Sequence, residues 1–216
     1  MKLIPGPPPE GFRSAIASTY DGVAAAREER GEEPWRWPIA ERFLATMQVE
    51  GLSRLLEIGA GVGDTSRWFA DRGLEVMATD LSPQQVEFCR AKGLEARVAD
   101  MYDLGFPPGS FDAAWAMNCI HHVADADLPA VLEGVARVVS PGGLVYIGVW
   151  GGLDRQGVPE EDFYLPTRFF AFRSDAALRS AMERSFVVEW FEVFQPNDEP
   201  DEDGLHMQST LLRVPG

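Results

Sequence analysis

One stretch constrains this chain more than any other: Leu55-Leu56-Glu57-Ile58-Gly59-Ala60-Gly61-Val62-Gly63-Asp64-Thr65. A short apolar run ends in glycines, and a helical pattern from Thr65 to Arg72 follows it and stops at Gly73. Glycine permits positive φ in a tight turn, and without a Cβ it lets a ligand approach the backbone. A strand, a glycine loop and a helix in that order open a β-α-β unit. In a doubly wound sheet such a loop lies at the carboxyl edge of the strands, where ligands bind.

The chain keeps this rhythm afterwards. Leu74 to Asp80 reads as a second strand, and Ser82-Pro83 caps a helix that ends before Gly93. Strands follow at Glu95 to Asp100, Phe111 to Met117 and Leu144 to Trp150, with a helix over Asp127 to Val139. A helix from Ser174 to Arg184 precedes the last strands, Val187 to Phe194 and Met207 to Val214. Strands alternating with helices predict an α/β fold, a doubly wound sheet with helices on both faces. Ahead of it, Ser14 to Ala26 and Trp37 to Met47 read as helices, separated by a charge run from Arg27 to Pro34 that reads as a solvated loop or helix end. Pro5 to Pro9 reads as a stiff, weakly ordered arm. Gly151 to Arg173 is too long for a simple connection and is a candidate lid. Gln195 to Leu205 reads as an acidic, solvated hairpin loop. The expectation is one domain over residues 1–216, with a helical cap over 1–50 and a lid-like insertion over 151–173.

Two acids sharpen the glycine loop. Asp80 ends the second predicted strand, where a carboxylate accepts hydrogen bonds from ribose hydroxyls. Asp100 ends the third, where a carboxylate can accept from an adenine amine. Either acid alone reads equally as a cap of the next turn; together, behind the glycine loop, they favour a nucleoside site. A dinucleotide loop usually reads Gly-x-Gly-x-x-Gly around a pyrophosphate. Here Asp64 takes the third glycine's place and would repel a pyrophosphate, while Glu57 suits an ammonium group. The ligand implied has adenine, ribose and a positive amine but no phosphate. S-adenosylmethionine (SAM) fits.

Composition narrows the partners. Lys plus Arg is 19 against 34 Asp plus Glu, a net charge of −15. That field opposes nucleic acid and anionic lipid, though a local basic patch stays possible. Cys89 and Cys119 have no metal-ligand spacing and make no disulfide framework, so no metal is expected and a reduced cytoplasm is the default. The N-terminus lacks the apolar run of a secretory signal, and no run reaches the ~20 residues that span a bilayer.

The chain resembles class I SAM-dependent methyltransferases of the bacterial small-molecule type, from about Tyr20 to Val214. The resemblance rests on Leu56 to Gly63, on Asp80-Leu81-Ser82-Pro83-Gln84-Gln85, on Asp100-Met101, on Phe111-Asp112 with Asn118-Cys119-Ile120-His121-His122-Val123, and on Arg137 to Gly143. Gln85 stands where the family often has Met. The resemblance implies a seven-stranded, mostly parallel Rossmann-like sheet whose last strand is antiparallel. It implies that Glu57 and the backbone of Gly59, Ala60 and Gly61 hold the methionine part of SAM. Asp80 would bind the ribose beside Leu81 and Gln85, Asp100 and Met101 would grip the adenine, and Asn118 would contact the amino-acid end. Tyr20 matches a helix that closes over the site, or equally a helix-packing tyrosine.

A histidine near the methyl group could take a proton from an attacking hydroxyl or amine, and His121 is the candidate base. A packing or cofactor-shell role falls to His122, and His206 reads as structural. Proximity alone can also suffice for this chemistry. Aromatic residues of the insertion, with Trp35 and Trp37, suit an apolar acceptor or simply pack the lid. Arg155, Arg168 and Arg173 could meet an acceptor carboxylate or phosphate, or pair with Glu160, Glu161 and Asp162. The function expected is methyl transfer to an oxygen or nitrogen of a small molecule. A tRNA-modifying enzyme, which His121 through Trp150 also resembles, and a non-catalytic SAM-binding module are the alternatives.

Overall fold

In the computed structural model, which describes residues 1–196 and 204–216, the strand ahead of the glycine loop lies inside a seven-stranded sheet. The strands are β2 (Arg54–Ile58), β3 (Glu75–Asp80), β4 (Glu95–Val98), β5 (Phe111–Met117), β6 (Val139–Gly151), β9 (Val187–Phe194) and β10 (His206–Arg213). Their order is β4-β3-β2-β5-β6-β10-β9. The pairs from β4 across to β6 are parallel, and β10 runs antiparallel to both of its neighbours. The chain starts in the middle at β2, moves outward to β4, then returns to β5 on the other side. The crevice at the carboxyl ends of β2 and β5 is therefore the topological switch point, the favoured ligand position in such sheets.

Both faces are covered, as strands of a parallel sheet require. Side chains alternate along β5: Ala113, Trp115 and Met117 join one core cluster, Ala114 and Ala116 the other. The first cluster lies under α2 (Trp37–Val49) and α3 (Asp64–Ala70), with Trp115 stacked on Tyr146 at 4.0 Å. The second lies under α5 (Leu128–Val138) and α6 (Asp175–Met182). Ser82 caps α4 (Pro83–Ala91) by accepting from the Gln85 N–H at 3.1 Å, and Ser174 caps α6 from the Ala177 N–H at 3.3 Å.

Several expectations change. The proline-rich start is tied down at Pro5, where the expected arm begins: β1 (Leu3–Pro5) pairs antiparallel with β7 (Arg155–Pro159), which pairs with β8 (Phe170–Phe172). An edge strand tolerates Pro5, and Leu3 joins Phe170, Phe172 and Leu205 in a small core of their own. The insertion from Gly151 to Arg173 thus carries two strands. The charge run follows its helix-end reading in its first half, since α1 (Phe12–Arg30) continues through Arg27 to Arg30. The predicted turn before Leu144 loops out within β6, since Val139 faces Phe111 while Leu144 faces Ala113. The acidic hairpin expected between β9 and β10 falls largely on 197–203, outside the described residues.

Candidate active site

The glycine loop forms because its backbone cannot be built otherwise. Gly59, Gly61 and Gly63 have φ of 71°, 58° and 87°, values that side chains resist. A Cβ on Gly59 would lie 2.6 Å from the Cys119 Cβ, so the loop packs directly on the chain leaving β5. Asn118, at the end of β5, also has positive φ, at 54°. Asparagine tolerates that conformation. Its N–H donates to the Gly148 carbonyl at 2.7 Å, and its buried side-chain oxygen has no partner among the described residues.

Acids ring this loop. Asp80 ends β3, and its two oxygens accept from the backbone N–H groups of Gly61 and Ser82, each at 2.9 Å. Burial pushes its carboxyl above the usual range, opposed by those same donors. Glu57 is buried at the end of β2 and accepts from the Ser66 hydroxyl. Desolvation raises its carboxyl to about 8. Asp100 lies beyond β4 in a turn, accepting from the Tyr102 N–H at 3.0 Å and pairing with Arg13 at 2.7 Å.

The structure brings Tyr20, Glu57, Gly59, Ala60, Gly61, Asp80, Leu81, Gln85, Asp100, Met101 and Asn118 around one cavity. His121 is not among the residues that line it. The 3-10 turn Ile120–His122 sends consecutive rings in different directions, and their planes meet at 76°. His121 stacks on Phe170 at 5.3 Å, while His122 faces the cavity. The candidate base therefore moves from His121 to His122. Asp64 also lies off the cavity and is paired with Lys92 at 3.0 Å. The objection to a pyrophosphate moves from Asp64 to Glu57 and Asp80, which do line the site.

The cavity's cover is α1. Arg13, Ile16, Tyr20 and Arg27 share one helical face and line it from the Asp100 end to the glycine loop. Asp21 fastens this helix to the start of α4 by accepting from the Ser82 hydroxyl and from the Gln84 N–H at 2.9 Å. Farther on, Glu32 and Arg36 form an ion pair at 2.7 Å, its side chains only 13% and 14% exposed, that also lines the cavity. The Nε atoms of Arg27 and Arg36 and the Gln85 side-chain oxygen are buried without partners. The sequence reading missed Arg13, Arg27, Glu32 and Arg36; the helical spacing of α1 was the available signal for Arg13 and Arg27, and the i,i+4 charge spacing for Glu32 and Arg36.

A family model described as a methyltransferase domain matches residues 56–147, the stretch from β2 to β6 that supplies the cavity floor. Residues 56–147 carry the class I SAM-dependent methyltransferase domain. It is 36% identical over 144 residues to the 2-methyl-6-phytyl-1,4-hydroquinone methyltransferase of Synechocystis sp., covering 56% of this chain and 44% of that relative. It is 36% identical over 102 residues to the ubiquinone biosynthesis O-methyltransferase of Xanthomonas oryzae pv. oryzae, covering 44% of this chain and 42% of that relative. The chain spans about half the length of the curated relatives it matches. Its fold is similar to the crystal structure of an S-adenosylmethionine dependent methyltransferase from Mesorhizobium loti, with TM-score 0.66, 23% identity, and coverage of 90% and 99% of the two chains.

In this chain the insertion's arginines are engaged internally. Arg168 pairs with Asp162 at 2.7 Å, and Arg173 with Asp125 at 2.9 Å. Arg155 donates to the Met1 carbonyl at 3.0 Å. The pairing considered with Glu160, Glu161 and Asp162 is seen at Asp162 for Arg168. His206 pairs with Asp175 at 2.8 Å, between β10 and α6.

Proposed function

We propose that this chain transfers a methyl group from SAM to an oxygen or nitrogen of a small-molecule acceptor. The observation that carries the reading is the cavity's polarity. One end offers Asp100 beside Met101, the middle offers Asp80 and Gln85 with Arg27 near them, and the far end offers Glu57, Glu32 and Arg36. An adenine, a ribose and a zwitterionic amino acid match that sequence of groups. The orphaned atoms on Gln85, Asn118, Arg27 and Arg36 fit such a ligand, because buried polar groups normally find partners.

In this reading Asp80 accepts from ribose hydroxyls while its backbone donors hold it still. Glu57 meets the ammonium group, and Arg36 meets the carboxylate. When bound, SAM supplies a methyl on a positively charged sulfur, already poised to leave. The chain's own task is to exclude water and align the acceptor, a large effect by itself. The helix α1 closes one side, and the insertion stands against it: the Thr19 hydroxyl donates to the Pro166 carbonyl.

A small acceptor is favoured over tRNA by the charge of −15 and by the engagement of the insertion's arginines. The names of the hydroquinone and ubiquinone relatives are consistent with a phenolic acceptor. The cytoplasm is the compartment assigned, with both cysteines free thiols; among the described residues no helix is long and apolar enough to cross a membrane. The test is a product screen: SAM labelled in its methyl group, offered first with a small-molecule metabolite extract and then with bulk tRNA. Label in a small molecule supports the reading. Label only in tRNA replaces the acceptor class, and SAM binding without transfer to either reduces the chain to a binding module.

A further inference from the structure

We propose that Tyr20 and His122 together take the acceptor's proton, so that the atom methylated is one that carries a proton: a hydroxyl, or a primary or secondary amine. The inference rests on the methyl-transfer reading above and adds to it the identity of the base and a limit on the acceptor.

The geometry fixes the direction of the hydrogen bonds. His122 Nδ1 is 2.7 Å from the Phe169 carbonyl, which can only accept, so Nδ1 carries the proton. The lone pair of Nε2 then faces outward, and the Tyr20 hydroxyl, 2.9 Å away, donates to it. Tyr20 and His122 both line the cavity. A phenol oxygen can accept two hydrogen bonds. Arg168 Nη1 approaches it at 3.4 Å. Arg168 is itself locked by Asp162, through Nε at 3.0 Å and Nη2 at 2.7 Å. Three separate segments, α1, the turn after β5 and the insertion, therefore meet at one phenol oxygen that retains accepting capacity.

The surrounding charges suit the task. Burial holds His122 near 4, with Arg168 pushing down, and the Phe169 carbonyl and Asp162 pushing up. The ring is neutral across the physiological range, so Nε2 is free, and it takes a proton once bond formation to the methyl carbon has made the acceptor's proton strongly acidic. His121, its neighbour, is also held neutral by burial, with Arg173 and Arg168 adding to that. Burial raises the Tyr20 phenol and Asp80 adds to it, while Arg168 and Arg27 pull it down. Tyr20 is thus a conduit rather than a standing phenolate.

The step balances. The acceptor's lone pair forms a bond to the methyl carbon while that carbon's bond to sulfur breaks, leaving its electron pair on sulfur. The acceptor's proton passes to the Tyr20 oxygen as the Tyr20 proton passes to His122 Nε2. The imidazolium then loses a proton to water. A nucleophile with no proton to give, such as a thioether or tertiary amine, gains nothing from this arrangement.

The same contacts could serve only to tie α1 to the sheet, and the experiment separates the two roles. Tyr20→Phe and His122→Gln are compared with the unaltered chain in two measurements. One is affinity for S-adenosylhomocysteine by calorimetry. The other is label transfer from SAM into a small-molecule metabolite extract between pH 5.5 and 9.5. The unaltered chain is expected to show transfer without a rising limb set by this base, which is already unprotonated at pH 5.5. Both variants should bind within a few-fold yet lose roughly 10²–10⁴-fold of transfer near pH 7, the usual worth of a positioned base. Their residual transfer should climb about tenfold per pH unit, as the acceptor must now ionise unaided. Loss by one constant factor at every pH, or a matching collapse of affinity, would make the pair structural. Wild-type transfer in either variant would also overturn the proposal. No transfer by the unaltered chain, with binding intact, would overturn the methyl-transfer reading and the dyad with it.

Discussion

Asp80 accepts the backbone N–H of Gly61 at 2.9 Å, tying the end of β3 to the glycine loop at the end of β2. The carboxylate proposed for the ribose is therefore also a strut of the loop itself. Asp80→Ala should weaken SAM binding at least tenfold, as loss of charge-assisted hydrogen bonds worth ~1.5–3 kcal/mol implies. It should also lower the stability of the empty protein, because the Gly61 and Ser82 N–H groups lose their acceptor. Asp80→Asn, which keeps one carbonyl oxygen, should lose less of both. Calorimetry with SAM and thermal unfolding without it check the pair. An unmoved melting temperature in Asp80→Ala would mean that water replaces the strut.

Glu57 gives the site a pH dependence with a definite sign. Its folded value, about 8, stands above its ordinary 4.5 because the group is buried. Between those values the folded chain holds a proton that the unfolded chain has released, so stability from this group is full below 4.5 and drains away as pH rises through 8. The ligand-free protein should melt at lower temperature as pH rises from 5 to 8.5, and Glu57→Gln should flatten that slope. An ammonium group beside Glu57 favours its ionised form, so S-adenosylhomocysteine should bind more tightly as pH rises across the same window and release a proton on binding. Calorimetry in buffers of different ionisation enthalpy measures that proton. A binding heat that does not depend on the buffer would remove Glu57 from the linkage.

What could be read in advance follows from how far apart the partners lie. Gly59, Asp80 and the Ser82 cap were legible because a β-α-β unit fixes them by short spacings along the chain. The pairing of Tyr20 with His122 spans 102 positions, and nothing local announces it. The choice between His121 and His122 depends on a 3-10 turn whose rotation no hydrophobic period encodes. Pro5 to Pro9 looked like an arm because the strand that ties down its first residue, Arg155–Pro159, lies far along the chain. The charge run misled for a different reason. Its composition is that of a solvated segment, yet Arg27 and Glu32 are drawn against the cavity, with Arg36 just beyond the run.

Those arginines can be tested with a ligand and its truncated form. Arg36 pairs with Glu32 and acts electrostatically on Glu57, at the end of the cavity proposed for the amino-acid group. Arg36→Ala should weaken S-adenosylhomocysteine about tenfold or more, the worth of a charge-assisted bond. It should leave 5′-methylthioadenosine, which lacks the amino-acid end, within about twofold. Equal losses for both ligands would show that Arg36 shapes the cavity instead of touching the carboxylate.

The insertion divides into a part that holds the fold and a part that meets solvent, and the two should respond oppositely to change. Phe169, Phe170 and Phe172 are buried, and Phe169 holds His122 through its carbonyl. Phe163 and Leu165 are 98% and 78% exposed, a few residues from Arg168 and its contact with Tyr20. Replacing Phe163 to Phe172 as a block would remove β8 along with the tip and mix the two effects. Phe170→Ala alone should cost ~3–5 kcal/mol, the usual cost of truncating a buried phenylalanine, and lower the melting temperature sharply. The double change Phe163→Ser with Leu165→Ser should stay within ~0.5 kcal/mol in stability and leave SAM affinity unchanged. If the acceptor reaches the site past this tip, its KM rises in the double variant while kcat holds. An unaltered KM would place the acceptor's approach elsewhere, along the Arg13 end of α1.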